Sequence, residues 1–250
     1  MDLSTNFRLT GTISENIKFL PNLEQIWLVE SALYGPLPES ISELKKLQIF
    51  SVQTNFLTGK IPSGYGDIKS LKFFQLQNNR LGSTIPASVS NLADVELFDV
   101  SNNRLTGRIP SEFSLLKKLS KLYLYTNRLD GTIPSQLGLI SNLTEISLHD
   151  NKLNGPLPAS IFSLNQLQIL LLQNNQLSGK LVTGSQLSLE SIDISNNLFS
   201  SDFPSDLFTS PRLKFISAIS NCFSGSLPSS ICMSTGLENL LMDGLGGNIK

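Results

Sequence analysis

The chain has 250 residues, 19 basic and 20 acidic, for a formal net charge of −1. A phosphate-binding surface needs a clear excess of Lys and Arg, so this balance gives no ground for a nucleic-acid partner. Hydrophobic residues are 40% and charged residues 16%, a composition that folds. No apolar run reaches the roughly 20 residues that a membrane helix needs. The first twenty residues, MDLSTNFRLTGTISENIKFL, lack the basic start and unbroken apolar core of a signal peptide. Two cysteines, Cys222 and Cys232, are too few for a disulfide scaffold.

Along the chain, one unit repeats. Leu9-Thr10-Gly11-Thr12-Ile13 opens it as the tail half of a unit. Ser31 then marks a corner position, followed at 24-residue steps by Asn55, Asn79, Asn103, Asn127, Asn151 and Asn175. Asn197 comes 22 residues later and Asn221 after a further 24. Two residues beyond each corner stands an apolar side chain, from Leu33 and Leu57 to Phe199 and Phe223. Most units continue with Gly and an apolar-Pro pair, as in Gly107 with Ile109-Pro110. Upstream of each asparagine lies LxxLxL, for example Leu119, Leu122 and Leu124 before Asn127. The unit before Asn197 reads Leu177-Ser178-Gly179-Lys180-Leu181-Val182-Thr183-Gly184 without a proline, which predicts a trimmed convex segment and a local change of curvature. Beyond Asn221, Leu237, Leu240 and Met242 keep the strand spacing, but Leu245 stands in the asparagine position.

The physical reading is a stack of coils. The x-L-x-L-x piece alternates inward and outward, as a strand does, and successive strands stack into a parallel sheet. The corner amide carries two donors and an acceptor, enough to satisfy turn backbone of its own and the adjacent coil. Gly permits the next bend, and Pro opens a convex segment such as residues 110–116, expected as a short helix or 3-10 turn. Residues 1–250 then form a single domain of about ten repeats of 24 residues, one of them shortened to 22. A solenoid needs polar caps, and neither end shows one, so a segment of a longer protein is expected.

The signature L-x-x-L-x-L-x-x-N-x-L followed by L-x-G-x-I-P resembles the plant-type leucine-rich repeat (LRR) of receptor-like kinases, receptor-like proteins and polygalacturonase inhibitors. The resemblance covers nearly the whole chain. It implies an α/β repeat fold: a right-handed horseshoe with a parallel sheet on the concave face and short strands, turns and 3-10 segments on the convex side. It also implies a non-catalytic binding domain without cofactor or metal. The expected setting is the cell surface or extracellular space. The expected partner is a peptide, glycan or protein, with a co-receptor, held on the concave face. A full member of the family adds a signal peptide and cysteine-bearing caps, often with a membrane helix. A soluble inhibitor or scaffold is the alternative. A remoter one is ice binding, suggested by the small polar ladder Thr54, Asn78, Asn102, Thr126, Asp150, Asn174, Asn196 and Ser220, which precedes the corner.

The binding candidates are the x residues of the strands. Tyr123 and Tyr125 share one face of a strand, His149 lies beside Tyr125, and Asp99, Lys121, Glu145 and Asp150 surround them. Exposed aromatics are common binding anchors, although ordinary solvated strand residues would look the same. Trp27 and Phe73 are further aromatics on this face, and Trp27 has the alternative of packing against a preceding unit. Ser147, His149 and Asp150 invite a catalytic reading. Adjacent strand residues point to opposite sides, however, so Asp150 is expected to be badly placed, and no nucleophile elbow accompanies them. No catalytic residue is assigned. One histidine with two distant cysteines makes no metal site. Cys222 and Cys232 are expected as free, partly buried thiols, with pairing across their coil as the alternative. Asn142 in Asn142-Leu143-Thr144 is a glycosylation candidate.

Overall fold

The computed structural model describes residues 9–184 and 188–243. The expected three-residue strands recur once per coil, from Gln25–Trp27 through Lys121–Tyr123 to Asn239–Leu241. They hydrogen-bond in sequence order into one ten-stranded parallel sheet. Every pairing has the same register, so Trp27, Ser51, Gln75, Asp99 and Tyr123 form a straight column across five strands. The columns read from the sequence are therefore the columns of the concave face.

The asparagines make the corner. Asn79 is 8% exposed. Its Oδ1 accepts from the Leu57 N–H of the preceding coil at 3.0 Å. Its Nδ2 donates to Val52 O of that coil at 3.0 Å, and to Leu76 O and Gln77 O of its own coil at 3.1 and 3.3 Å. The same set recurs at Asn103, Asn127, Asn151, Asn175, Asn197 and Asn221, and at Asn55 against Leu28 and Leu33. The residue before each corner position is left-handed, with φ from +50° to +58°, from Glu30 before Ser31 to Ser220 before Asn221. Even the β-branched Thr54 and Thr126 are held there, although that conformation is costly for them.

Beyond the corner lies a second parallel arrangement that the repeat pattern does not announce. Short strands such as Phe56–Thr58, Arg128–Gly131 and Gln176–Lys180 pair coil to coil on the flank, in a three-stranded and a six-stranded sheet. The glycine at the end of this segment has positive φ, +76° at Gly107. A Cβ there would lie 2.8 Å from Thr84 Cγ2. Two coils put serine in that slot, Ser83 at φ +69° and Ser201 at +79°.

The convex side is a row of five-residue 3-10 helices, and Ser111–Leu115 realises the expected turn. From the second helix on, a proline precedes each, as Pro110 does, in extended conformation. Its missing N–H costs nothing at that position. Between Lys180 and Ser191 no 3-10 helix occurs among the described residues, in keeping with the trimmed unit. Leu245 lies outside the described residues.

Inside, one continuous core runs from Ile26 to Phe223. In coils two to four the inward strand leucine is replaced by Phe50, Phe74 and Phe98. Tyr65 and Phe113 from the helices meet them edge-on, while the phenylalanines lie tilted to one another, with centroids 5.1–6.3 Å apart. The Tyr65 hydroxyl donates to Pro38 O at 2.9 Å. Burial, with Glu39 and Glu15 adding to it, pushes that phenol far above its ordinary value.

Removing the Asn79 amide leaves the buried Leu57 N–H without its partner and takes one of two donors from Val52 O, Leu76 O and Gln77 O. Asn79→Ala should therefore lower unfolding stability by about 3 kcal/mol in urea titration. A loss below about 1 kcal/mol would mean that water replaces the amide.

Candidate functional site

Three adjacent coils build the centre of the concave face. Lys121 and Tyr123 come from one strand, Glu145 and Ser147 from the next, and the register sets Lys121 beside Glu145 and Tyr123 beside Ser147. Lys121 Nζ lies 2.7 Å from Glu145 Oε1, and the Tyr123 hydroxyl donates to Glu145 Oε2. Burial alone would raise the Glu145 carboxyl, but the bonds from Lys121 and Tyr123 outweigh it and hold the group below the usual range. The Tyr123 phenol is driven upward, first by burial and then by the bond to Glu145 and its charge. The carboxylate is thus ionised and the phenol neutral over the whole physiological range.

The next column holds a stack. The Tyr125 and His149 rings lie 4.5 Å apart and 8° from parallel, and Tyr123 meets Tyr125 edge-on at 6.4 Å. Ser147 Oγ is 3.2 Å from His149 Nδ1. With Ile169 and Leu171 from the following strand, these residues line a shallow recess of about 460 Å³. Its wall is aromatic, its floor aliphatic, and one edge carries the neutralised Glu145–Lys121 pair.

Three expectations are corrected here. Asp99 is not presented to solvent: it is 6% exposed, and its Oδ1 accepts from the Ser101 amide at 3.0 Å and the Ser101 hydroxyl at 2.6 Å. Burial pushes its carboxyl upward, and the Ser101 bonds only partly offset this. Asp193 and Ser195 repeat the motif. Small side chains in the middle column are likewise covered, as at Ser51 and Ser147, because neighbouring strands crowd a concave surface. Second, Asp150 does approach His149, with Oδ2 at 3.8 Å from Nε2. The left-handed φ of +54° at Asp150 takes it out of strand alternation and swings its side chain back over the ring. Third, Cys222 and Cys232 are free and both exposed, so neither the expected partial burial nor the disulfide is present.

The other candidates lie apart from this centre. Trp27 is four strands away in the middle column, half-buried, with its Nε1 donating to Gln25 Oε1 at 3.2 Å. Phe73 is half-buried two strands from Lys121. Asn142 is exposed in the turn before its strand, with its Nδ2 donating to Lys117 O at 2.7 Å.

Ser147, His149 and Asp150 do touch, but in an order unlike an acyl-transfer triad. The serine is 5% exposed and meets Nδ1, while the carboxylate is nearest Nε2. Among the described residues no three His, Cys, Asp or Glu are grouped to hold a metal, and no helix is long and apolar enough to cross a membrane.

A one-coil-per-24-residue solenoid with a parallel concave sheet, an asparagine corner and a flanking second sheet defines a stacked-repeat protein whose open face is a column-addressed surface. Family patterns described as leucine rich repeat match residues 69–129, and again 142–164 and 188–210. The chain belongs to the leucine-rich repeat proteins, and its units are of the plant type. Among solved structures, it is similar to a plant peptide hormone receptor, RGFR1, in complex with RGF2. That match has a TM-score of 0.83 and 31% identity, covering 96% of this chain and 42% of the receptor chain. It is also similar to the Arabidopsis receptor kinase HAESA with the peptide hormone IDA and the co-receptor SERK1 (TM-score 0.70, 31% identity, 93% of this chain and 47% of that one). A plant ice-binding protein matches with a TM-score of 0.86 at 25% identity, over 98% of this chain and 81% of that one. The chain spans less than half of the two receptor chains. No curated protein matches it in sequence.

His149 is the sole histidine, so its titration can be followed without assignment. Burial depresses it, partly offset by Asp150 and Asp193. Its imidazole signals in a proton NMR titration should have a midpoint below 6.5. The unfolded chain then takes up the proton first, so stability attributable to this ring is present above about pH 6.5 and is lost as pH falls below it. A midpoint above 6.5 would mean that the two aspartates dominate.

Proposed function

We propose that this is a ligand-binding domain of a receptor-like protein at the cell surface, with a peptide or protein held on the concave face around Tyr125 and His149. The observation that carries the reading is the pre-organised aromatic recess. Tyr123 is held by the ionised Glu145–Lys121 pair and meets Tyr125 edge-on, and Tyr125 stacks on the His149 imidazole. Rigid aromatic anchors lose little entropy on binding, and Tyr is enriched among interface hot spots. The proteins it resembles support the reading, since two of them were solved with peptide hormones. Lys121, Tyr123, Tyr125, Glu145 and His149 are the proposed contact residues. Trp27 and Phe73 would serve a longer ligand, and Asp99 would act only by bracing the strand end. The role is non-catalytic. A glycan, or the folded target of a soluble inhibitor or scaffold, would use the same face.

The test is selection of a random displayed peptide library on the folded chain. Peptides enriched on this chain should lose about tenfold or more in affinity on a Tyr123→Ala/Tyr125→Ala variant with an unchanged melting temperature. Equal affinity for both proteins would falsify the concave recess as the site.

The likeness to a plant ice-binding protein supports a second reading. It would rest on the exposed ladder before the corner, where Asn174 Nδ2 donates to Asp150 Oδ1 at 2.7 Å and Asn196 Nδ2 to Asn174 Oδ1 at 2.8 Å. An ice surface favours a flat, uncharged array, and Glu30 and Asp150 interrupt this one. Thermal hysteresis no greater than that of a buffer control is the expected result. A measurable freezing-point gap would favour ice binding instead.

A further inference from the structure

The second flank carries a charged feature that neither the repeat nor the concave face explains. In the position immediately after the corner asparagine, four consecutive coils place Arg80, Arg104, Arg128 and Lys152. All four side chains are exposed. Their backbones are locked to one another: Arg80 N donates to Leu57 O, Arg104 N to Leu81 O and Arg128 N to Leu105 O, each at 2.8 Å. The flank ladder pairs residues 22 apart, with Arg128 opposite Thr106 and Lys152 opposite Asp130, so the cations form an oblique file, one per coil, each stepped two residues along from the one before. No ion pair joins any of them to an acidic side chain among the described residues. Arg108 adds a fifth cation to these coils, against Asp130 and Asp150, so the flank is positive on a chain whose net charge is −1.

The stripe has defined ends and defined neighbours. Toward the N-terminus it begins on an aromatic step, Tyr34 and Phe56, which are 53% and 45% exposed. The Arg80 guanidinium lies over the Phe56 ring at 4.6 Å. Toward the C-terminus it stops at Gln176 and Leu198. Beside the first three cations stand Asn78, Asn102 and Thr126, held left-handed in the corner, with Asn78 and Thr126 exposed. Each of these rungs thus pairs a cation with an uncharged hydrogen-bonding group.

We infer that this stripe is a binding site for a linear acidic polysaccharide lying along the solenoid axis, separate from the concave recess. Such a polymer presents a carboxylate or sulfate at regular intervals, which a regular file of cations can meet. Guanidinium forks pair well with planar carboxylates and with sulfate oxygens. The amide and hydroxyl groups match sugar hydroxyls, and the exposed aromatic step matches the flat apolar face of a sugar ring. A nucleic acid is less well served, because the positive surface is one residue wide and the rest of the chain offers no basic excess.

The site is tested by calorimetric titration of the purified chain with a polyuronate, with dextran sulfate, with neutral dextran, with poly-glutamate and with a DNA duplex. Binding to the polyuronate or to dextran sulfate is expected, with no binding to neutral dextran and weakening as salt is raised. The stronger of the two acidic glycans identifies the anion as carboxylate or sulfate. Arg104→Ala/Arg128→Ala should weaken that binding about tenfold or more. Lys45→Ala/Lys46→Ala, which removes equal charge at the convex base, should leave it within about twofold. Matching melting temperatures confirm that both variants fold. Absence of binding to both acidic glycans, equal losses in the two variants, or tighter binding to DNA or poly-glutamate would each overturn the proposal. The Tyr123→Ala/Tyr125→Ala variant should bind the glycan normally, so failure here and failure of the concave site are distinguishable.

Discussion

One side-chain amide per coil holds this molecule together. The corner asparagine accepts one hydrogen bond from the coil before it and shares its two donors among carbonyls of both coils, as Asn79 does with Leu57, Val52, Leu76 and Gln77. Those groups face the interior of a tight bend, where water does not reach and an unpaired amide is costly. The left-handed residue before each asparagine is the conformational strain this arrangement accepts. Because the bond set is the same at every coil, the coils cannot slip relative to one another.

That fixed register turns sequence position into spatial position. A residue's place within its 24-residue unit decides whether it lies in the core, on the concave sheet, at the corner or on the flank. Its coil number decides how far along the axis it lies. Tyr125 and His149 stack because they hold the same place in adjacent units. Arg80, Arg104, Arg128 and Lys152 align for the same reason. The core asks only that inward positions be apolar and of suitable volume, so Phe50, Phe74 and Phe98 replace smaller side chains when Tyr65 and Phe113 fill in around them. The outward positions are free of that demand, and binding chemistry is written there.

Some outward positions nevertheless carry structural work. Asp99 and Asp193 close the strand end by binding the serine two residues on, which at Asp99 withdraws the carboxylate from the surface. Glu145 does the opposite: it gathers Lys121 and Tyr123 into a fixed edge for the recess. A carboxylate in this sheet thus has different roles, set by whether its nearest donor is a hydroxyl of its own coil or a phenol and an ammonium group of the neighbouring one.

The solenoid, its register, its corner asparagines, its convex 3-10 turns and the membership of each concave column were legible in the sequence, because each rests on a local periodic rule that repeats coil after coil. Tyr123, Tyr125 and His149 were found in this way. The basic stripe was legible by the same reading, one position past the asparagine, but only the structure shows that all four side chains are exposed on one flank. What the sequence left open was decided by contacts between coils and by local departures from strand geometry. Crowding on the concave side buried Asp99 and Ser147. The left-handed corner swung Asp150 back toward His149, against strand alternation. Cys222 and Cys232 stand exposed rather than partly buried. Repetition fixes where each backbone position lies, whereas the direction a polar side chain takes depends on partners that only the stacked structure brings within reach.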